Sequence, residues 1–271
     1  MEGSLESTNT NVAPIFIPIT IGYLINYGKY VRAMICEVEP YQELSKYYEE
    51  LSNIEKKKRE LDDLLVVARQ DNKKLNILDL ASGTGIAARY LQQQGHRVTC
   101  VDRSEVMMSL LRSHINNLSS IETIVSPLEY VNLPADEFNV AHCLAYSLTY
   151  ITAPQSLASL FIKVANSIVL GGVFYFDMVH PDRVSDKFSN IPKRKLKNAT
   201  LETSLLHNSH EGQFTLQYTT IPFGSSEHKQ EIHYGRAYSM EQLKRILIEA
   251  GFRKIEFHCN KLAVYKVFCF K

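Results

Sequence analysis

Two aspartates that follow predicted strands are the residues of this sequence best placed for chemistry. The stretch NILDLASGTG runs from a hydrophobic strand into a loop of small residues, with Asp79 at the end of the strand, and Asp102 ends the next predicted strand, RVTCVD. A dinucleotide site uses the glycines of such a loop to bring backbone N–H groups to a pyrophosphate. A carboxylate ahead of the glycines would repel a pyrophosphate, but it would attract a cationic ligand.

S-adenosylmethionine fits these residues because it carries a sulfonium and an α-ammonium. Asp102 lies where a carboxylate can accept hydrogen bonds from the two hydroxyls of a ribose. The loop and the two carboxylates together therefore predict a site for S-adenosylmethionine rather than for a dinucleotide.

The elements that must position these residues alternate along the chain. One or two helices are predicted over residues 40–70, and five apolar strands then alternate with helices, namely LNILDL, RVTCVD, IETIVS, FNVAHCLA and VFYFDM. Such strands indicate a parallel sheet with helices on both faces, which binds ligands at the carboxyl ends of its strands. After Met178, alternation at period two predicts inserted antiparallel strands, and a helix and a terminal hairpin follow.

We therefore predict a Rossmann-like, doubly wound α/β fold. Its seven-stranded sheet is expected to be mostly parallel and to end in an antiparallel hairpin. An N-terminal helical lid and a β insertion after strand five complete the predicted architecture.

The composition disfavours several classes of partner. The 271 residues carry a formal net charge of +1, so no basic surface is predicted that would attract a nucleic-acid backbone. Five cysteines occur without a CxxC pair, and three of them lie in predicted strands, which indicates reduced core thiols in a cytoplasmic protein. The histidines lack ligand spacing and no carboxylate cluster accompanies Asp177, so no metal is predicted.

The motifs resemble those of the class I S-adenosylmethionine-dependent methyltransferases over roughly residues 40–271. NILDLASGTGIAARYL resembles the first motif of that family and VTCVDRSEVMMSLL the second. FNVAHCLAYSLTYI is similar to the strand-four segment, and EQLKRILIEAGF to the helix before the terminal hairpin. The insertion after strand five and the early PYQELSKYYEEL are similar in layout to the small-molecule N- and O-methyltransferases, above all the glycine and amino-sugar N-methyltransferases.

The resemblance implies a cofactor site built from the strand ends and the loops that follow them. The residues it implies there are Tyr47, Asp79, Ala81, Gly83, Gly85, Asp102, Arg103, Met107, Ser126, Leu128, Leu144 and Ala145. Among them, Asp102 would hold the ribose. Ser126 stands where the family often has a Gly-Asp pair that contacts the adenine amino group, and it would accept that hydrogen bond more weakly. Tyr47 is preferred to Tyr48 as the lid tyrosine.

Three residues are candidates for catalysis. His180 lies three positions past Asp177, at the end of strand five, where a base could face the acceptor, and a loop histidine beside Pro181 is the equally supported alternative. Tyr150 follows strand four, near the methionine chain by resemblance. His233 ends the inserted strands.

Three further residues are candidates for binding the acceptor. Asp177 would orient the acceptor or only end a strand, with equal support. Tyr146 follows strand four, and Arg236 on the pocket side would suit an acceptor that bears a carboxylate. A solvated strand residue is the favoured alternative for Arg236.

The resemblance also sets the predicted domain boundaries. Residues 1–39 would be a tail and lid segment, and residues 40–271 the methyltransferase domain, in which inserted strands over 178–237 form part of the acceptor pocket. The apolar run IFIPITIGYLINY is too short to span a bilayer. It is expected to pack on the domain, to cover a ligand or to join two subunits of a homodimer, and membrane association is the weaker alternative.

The function predicted from these residues is in-line transfer of a methyl group from S-adenosylmethionine to a small molecule, which leaves S-adenosylhomocysteine. The acceptor atom is an amine nitrogen or a hydroxyl or carboxylate oxygen, and nitrogen is slightly preferred because no base with a partner can be read from the sequence. A protein or nucleic-acid methyltransferase on the same fold, or a non-catalytic binding domain, are the alternatives. The LAYS stretch after strand four lacks the Asn or Asp and the two prolines that amino-methylating nucleic-acid enzymes show there.

Overall fold

A computed structural model describes residues 19–26, 29–68, 74–115, 118–209, 211–259 and 264–271, with the backbone alone for 19–26 and 29–33. The described strands are β1 (Ile19–Asn26), β2 (Lys29–Val38), β3 (Asn76–Leu80), β4 (Arg97–Asp102), β5 (Ile121–Val125), β6 (Phe138–Cys143), β7 (Ile168–Val179), β8 (Arg194–Lys195), β9 (Ala199–Asn208), β10 (Gln213–Pro222), β11 (Glu227–Arg236), β12 (Lys254–Cys259) and β13 (Val264–Phe270). The described α-helices are α1 (Tyr48–Leu51), α2 (Ile54–Val67), α3 (Ile86–Gln93), α4 (Glu105–Ser113), α5 (Pro154–Ser167), α6 (Val184–Phe188) and α7 (Met240–Glu249).

The main sheet has seven strands in the order β12-β13-β7-β6-β3-β4-β5. β7, β6, β3, β4 and β5 run parallel to one another, and the terminal hairpin of β12 and β13 joins β7 in antiparallel pairing. The predicted fold class is thus confirmed. Among the five parallel strands β3 is central and adjoins β4, so the loops after β3 and β4 meet at the carboxyl edge of the sheet.

Helices cover both faces of this sheet, as its apolar strands require. On one face, buried side chains of α5 and α7 pack with Phe174 and Phe176 of β7. On the other face, side chains of α2, α3 and α4 pack with Ile77 of β3 and Tyr175 of β7. Alternate residues of one strand thus enter two separate cores, which fixes the register of the strand.

The helices begin where the sequence supplies caps. The Ser104 side chain accepts a hydrogen bond from the Met107 N–H and starts α4, and Ser239 forms a capping box with Gln242 at the start of α7. α5 begins at Pro154, whose missing N–H costs nothing in the first turn.

A second sheet has six strands in the order β1-β2-β11-β10-β9-β8. β9, β10 and β11 are antiparallel neighbours, in agreement with the strands expected after β7, and β2 pairs with β11 in parallel. Residues 44–51 form a 3-10 turn and α1, followed by α2. β1 and β2 were not predicted. β2 joins this sheet by pairing with β11, almost two hundred positions away, and β1 pairs only with β2, so the sheet's edge leaves little local pattern.

None of the described helices has the length and apolar content that a bilayer-spanning helix needs. The cytoplasmic location, the homodimer and the domain boundaries stay predictions.

Candidate active site

The loop after β3 is held to the end of β4 by one carboxylate. Asp102 Oδ2 accepts a hydrogen bond from the Gly83 N–H at 2.9 Å, and its Oδ1 accepts one from the Ser104 N–H at 2.9 Å. Burial raises the pKa of Asp102, and these backbone donors oppose the rise. Each carboxylate oxygen has a second acceptor site, so Asp102 can still bind two hydroxyls at the rim of the cavity described next.

A cavity of about 650 Å³ opens beside this loop. The residues that line this cofactor cavity are Tyr41, Tyr48, Ala81, Gly83, Asp102, Arg103, Met107, Leu128, Glu129, Ser147, Tyr150 and Ile151.

Gly83 allows the wall of the cavity to close on the loop. Its φ is +56°, and a Cβ placed there would lie 3.4 Å from Cε1 of the Tyr48 ring. Glycine is favoured at such a position because a side chain would be strained in this backbone conformation and would crowd the ring. The Tyr48 ring therefore lies directly over the loop, and the Lys57 ammonium lies 5.0 Å from its centroid.

Asp79 lies beneath the loop and has an unsatisfied oxygen. Its side chain is buried, and its Oδ1 lies 3.4 Å from His142 Nδ1. Its Oδ2 has no hydrogen-bond partner among the described residues. Burial raises the pKa of Asp79 to about 8, against the lowering effect of Lys57, and burial lowers the pKa of His142 to about 3. The histidine is therefore neutral. A cationic group bound at the free oxygen of Asp79 would favour the ionised form of this buried carboxyl.

These features test whether the cavity fits S-adenosylmethionine. The orphaned Asp79 Oδ2 matches the α-ammonium, and the spare acceptor sites of Asp102 match the ribose hydroxyls. Met107 and Leu128 supply buried apolar surface for an adenine. The residues present fit the cofactor.

A second, larger cavity of about 1220 Å³ adjoins the first, and Tyr41 and Tyr48 line both. The other residues that line this acceptor cavity are Leu44, Leu51, Ser52, Asn53, Lys56, Lys57, Glu60, Ala145, Tyr146, Asp177, Lys187, Ile191, Arg194, Leu201, Thr203, Tyr218 and His233. They come from α1, α2, the loop after β6, the end of β7, α6 and the inserted strands.

Asp177 holds a strained turn at the wall of the acceptor cavity. It is buried at the end of β7, and its Oδ1 accepts a hydrogen bond from the Tyr146 N–H at 2.8 Å. Ala145 and Tyr146 both have φ of +61°, a conformation that non-glycine residues rarely adopt, so the bond stabilises an unfavourable backbone. Burial raises the pKa of Asp177 to about 6, and the Tyr146 N–H opposes the rise.

The charges of the acceptor cavity are mixed, with an excess of cations. Lys56, Lys57, Lys187 and Arg194 line it, against the carboxylates of Glu60 and Asp177. The Glu60 carboxylate forms an ion pair with Lys266 at 3.1 Å, outside the lining, and one with Lys56 at 3.6 Å, inside it. The Lys187 ammonium lies 5.0 Å from the centroid of the Tyr146 ring, and burial lowers its pKa.

A chain of hydrogen bonds runs along the border of the two cavities. His233 Nε2 lies 2.9 Å from Glu231 Oε2, Tyr150 Oη lies 2.5 Å from His233 Nδ1, and Tyr41 Oη lies 2.8 Å from Tyr150 Oη. Glu231 also accepts the N–H groups of residues 41, 43 and 44, at 2.7 to 2.8 Å. The inserted strand β11 thus fixes the segment that carries the tyrosines shared by both cavities.

The structure brings about half of the predicted cofactor residues to the cofactor cavity. Those in its lining are Ala81, Gly83, Asp102, Arg103, Met107 and Leu128. Those outside it are Tyr47, Asp79, Gly85, Ser126, Leu144 and Ala145.

Four of the residues outside the lining make other contacts that explain their position. Gly85 has φ of +78° and caps α3 against Leu111, whose Cγ would lie 2.6 Å from an added Cβ. The Ser126 hydroxyl donates to the Pro127 carbonyl, and Leu144 is buried in the core. Ala145 lies one residue further along and lines the acceptor cavity instead.

Tyr48, and not the preferred Tyr47, lines the cofactor cavity and lies over Gly83. Tyr47 ends a 3-10 turn and packs against the small core of Leu44, Leu196 and Leu201. The next residue begins α1 on the other side of the turn, and this change of direction brings Tyr48 over Gly83.

Some of the catalytic and acceptor candidates also lie at the cavities, and others do not. Tyr150 and His233 are in direct contact, whereas His180 lines neither cavity and its Nδ1 accepts the Asp182 N–H at 3.1 Å. Asp177 and Tyr146 line the acceptor cavity.

Arg236 lies outside the acceptor lining. It donates to the Thr152 carbonyl at 3.4 Å and lies over the Tyr238 ring.

Sequence reasoning missed Tyr41, Glu231 and the lysines of α2 and α6. Only Glu231 had a readable signal, because residues two apart in a strand share a face and Glu231 is two positions before His233. Among the described residues there is no cluster of His, Cys, Asp and Glu that could hold a metal ion.

Comparison with known proteins gives consistent similarities. Residues 77–172 match the family described as "Methyltransferase domain". A Bacillus subtilis (strain 168) protein named "Putative methyltransferase YqeM" is 22% identical over 183 residues, which cover 65% of this chain and 73% of that protein.

Solved structures share the fold. An S-adenosylmethionine-dependent methyltransferase from Clostridium acetobutylicum ATCC 824 has a TM-score of 0.68 at 18% identity, covering 84% of this chain and 95% of that one. CalS10 from Micromonospora echinaspora, an amino pentose methyltransferase solved with S-adenosylmethionine bound, has a TM-score of 0.67 at 13% identity, with the same coverage of 84% and 95%.

Proposed function

We propose that this chain, an S-adenosylmethionine-dependent methyltransferase of the class I fold, methylates an amine nitrogen of a small molecule that also bears an anionic group. The observation that carries the proposal is the acceptor cavity. It meets the cofactor cavity at Tyr41 and Tyr48, and it combines a buried carboxylate, Asp177, with an excess of cations. When bound, S-adenosylmethionine supplies an electrophilic methyl group on its sulfonium.

The walls of the cavity favour a small acceptor over a protein or nucleic acid. α2 lies on one side, and the inserted strands β9, β10 and β11 contribute Leu201, Thr203, Tyr218 and His233 on another. Walls on two sides can align a small molecule, and alignment is a large part of what an in-line methyl transfer requires. The similarity to CalS10, which is described as an amino pentose methyltransferase, supports the same class of acceptor.

Asp177 favours nitrogen as the acceptor atom. Its Oδ1 is engaged by the Tyr146 N–H, which leaves Oδ2 to accept from an ammonium or amine N–H. A buried carboxylate binds a cationic or N–H-bearing group more strongly than a hydroxyl, because the hydrogen bond is charge-assisted. The amine is thereby oriented towards the wall shared by the two cavities.

The lysines and Arg194 favour an anionic substituent on the acceptor. The Arg194 guanidinium is fixed by hydrogen bonds to the carbonyls of Leu51 and Glu50, at 3.1 and 3.3 Å. Lys187 and Lys57 lie in the same lining, whereas Lys56 forms an ion pair with Glu60 at 3.6 Å. A carboxylate or phosphate group on the acceptor would balance this charge.

The test measures turnover of matched sets of acceptors by the purified protein. Each set contains an amine with an anionic group, the same amine without it, and the hydroxyl analogue of the first. S-adenosylhomocysteine formation gives the rate, and mass spectrometry locates the methyl group. We expect the anionic amine to have the highest kcat/KM and the product to be N-methylated. Turnover of the hydroxyl analogue alone, or of peptides or nucleic acid alone, would refute the proposal.

Two variants sharpen the test. Asp177→Asn keeps an acceptor for the Tyr146 N–H but loses the charge, so kcat/KM for amines should fall by about 10- to 100-fold. Lys187→Gln should raise KM about tenfold for anionic amines and leave neutral amines unaffected. Lys254→Gln, in the exposed strand β12, is the matched control and should change neither value.

A further inference from the structure

We propose that Tyr41, Tyr150, His233 and Glu231 form a relay that removes a proton from the acceptor's ammonium, so that the nitrogen can attack. Tyr41 is the catalytic residue that touches the acceptor, and the other three act through it as positioning residues. The inference deepens the proposed amine methylation and rests on it, but the relay also makes a claim about the protein without any acceptor.

The direction of each hydrogen bond follows from the Glu231 end. The carboxylate is 1% exposed and faces four donors, namely three backbone N–H groups and His233 Nε2. Four donors match the four acceptor sites of a carboxylate, so His233 carries its proton on Nε2. Its Nδ1 is then an acceptor, and Tyr150 donates to it at 2.5 Å. The Tyr150 oxygen in turn accepts from Tyr41 at 2.8 Å.

The relay ends where the acceptor and the methyl group must meet. Tyr41 lines both cavities, Tyr150 lines the cofactor cavity, and His233 lines the acceptor cavity. With its O–H donated to Tyr150, the Tyr41 oxygen has free lone pairs that can accept a proton from a nitrogen held by Asp177. Burial raises the pKa of Tyr41 and of Tyr150, so both phenols stay neutral and pass protons rather than store them.

Tyr41 is held in place at a cost in backbone energy. Its φ is +66°, a conformation that is strained for a large residue, and its N–H donates to Glu231 Oε2 at 2.7 Å. Strain of this kind persists where the surrounding structure requires one position of a side chain. The carboxylate that sets the tautomer of His233 thus also holds the residue at the other end of the relay.

The groups that face His233 are few. Besides Glu231, the rings of Tyr41, Tyr150 and Tyr218 lie at centroid distances of 5.1, 5.7 and 4.7 Å. Lys57 lies over the Tyr48 ring, 5.0 Å from its centroid, and that ring packs on Tyr41. Glu231 is therefore the group that can stabilise a proton on the imidazole.

The proton balance of the step is complete. One ammonium proton passes to Tyr41, the Tyr41 proton to Tyr150, and the Tyr150 proton to His233 Nδ1, which leaves an imidazolium beside the Glu231 carboxylate. The freed nitrogen lone pair forms the N–C bond, while the S–C bond breaks and its electron pair stays on sulfur. The product is a methylammonium and a thioether, and His233 then returns its proton to solvent.

The first experiment compares Tyr150→Phe with the wild type across pH. Phenylalanine keeps the ring but breaks the relay. At about pH 7, where an alkylamine is protonated, kcat measured at saturating acceptor and cofactor should fall about 100-fold. The loss should shrink towards about pH 10, because the amine then loses its proton in solution. Tyr218→Phe removes a phenol that packs on His233 outside the relay, and its ratio to wild type should not vary with pH. A Tyr150→Phe loss that is constant with pH would overturn the relay.

The second experiment does not depend on turnover. ¹⁵N NMR of the His233 ring in the protein without acceptor should show the proton on Nε2 and a hydrogen-bonded, unprotonated Nδ1. Tyr150→Phe should change the Nδ1 shift and leave Nε2 protonated. A proton on Nδ1 in the wild type would refute the relay. Failure to methylate any amine would refute the proposed function instead, and the NMR result would then decide the relay alone.

Discussion

The substitution Glu231→Gln tests how the inserted sheet holds the segment with the shared tyrosines. The carboxylate accepts four hydrogen bonds, two on each oxygen. An amide has one carbonyl oxygen and an NH₂ group that cannot accept. If the carbonyl takes the N–H groups of residues 43 and 44, the NH₂ group faces the Tyr41 N–H and His233 Nε2. Two buried hydrogen bonds to a charged group are then lost.

The magnitude follows from this count. A hydrogen bond to a charged group contributes about 1.5 to 3 kcal/mol, so the loss of two predicts a decrease of about 3 to 6 kcal/mol in the free energy of unfolding. Glu227→Gln is the matched control on the same strand, because Glu227 forms only a partly exposed ion pair with Lys229. That change should cost less than about 1 kcal/mol.

Urea unfolding gives the free energies, and hydrogen exchange gives the location. In Glu231→Gln the backbone amides of residues 41, 43 and 44 should exchange faster than in the wild type, while amides of β3 and β4 should change only as far as global stability falls. A Glu231→Gln variant as stable as Glu227→Gln, with unaltered exchange at these three amides, would refute this account of the segment.

Three further outcomes are expected. Tyr48→Ala should weaken S-adenosylmethionine binding about tenfold in calorimetry because the ring over Gly83 is lost, and an equal effect of Tyr47→Ala would contradict the lid assignment. Asp102→Asn should weaken the same binding by about 10- to 100-fold, since the ribose loses charge-assisted hydrogen bonds, and unchanged affinity would contradict the ribose site. The raised pKa of Asp79, about 8 against 3.8, means that the folded state holds the proton more tightly, so unfolding free energy should decline as pH rises from about 4 to about 8. Asp79→Asn should flatten that decline in pH-resolved urea unfolding, and a decline of unaltered slope would count against the buried carboxyl.

The cofactor loop could be predicted because its signals are local. Asp79, the small residues and Asp102 follow their strands directly, and strand order then brings the two ends together. The apolar strands that alternate with helices, together with the terminal hairpin, likewise predicted the seven-stranded sheet. The burial of Asp79 beneath the cavity lining could not be predicted. The sequence places its carboxylate at the end of a strand but does not determine how exposed the side chain is.

The remaining site depends on long-range contacts. Tyr41 becomes a wall of both cavities only because Glu231, 190 positions later, binds its N–H. Tyr47 and Tyr48 are adjacent, and the change from a 3-10 turn to α1 between them decides which one reaches the loop. His180 and Asp177 are three residues apart, yet a turn after β7 directs the histidine away.

Transfer of a labelled methyl group tests the central claim most directly. Purified protein is incubated with trideuteriomethyl S-adenosylmethionine and a small amine that bears a carboxylate or phosphate, and the acceptor is analysed by mass spectrometry. The account predicts the intact trideuteriomethyl group on nitrogen, with S-adenosylhomocysteine formed in equal amount, and loss of the signal in Asp102→Asn at subsaturating cofactor. A label on oxygen, or no label on any such amine while S-adenosylmethionine binds, would contradict it.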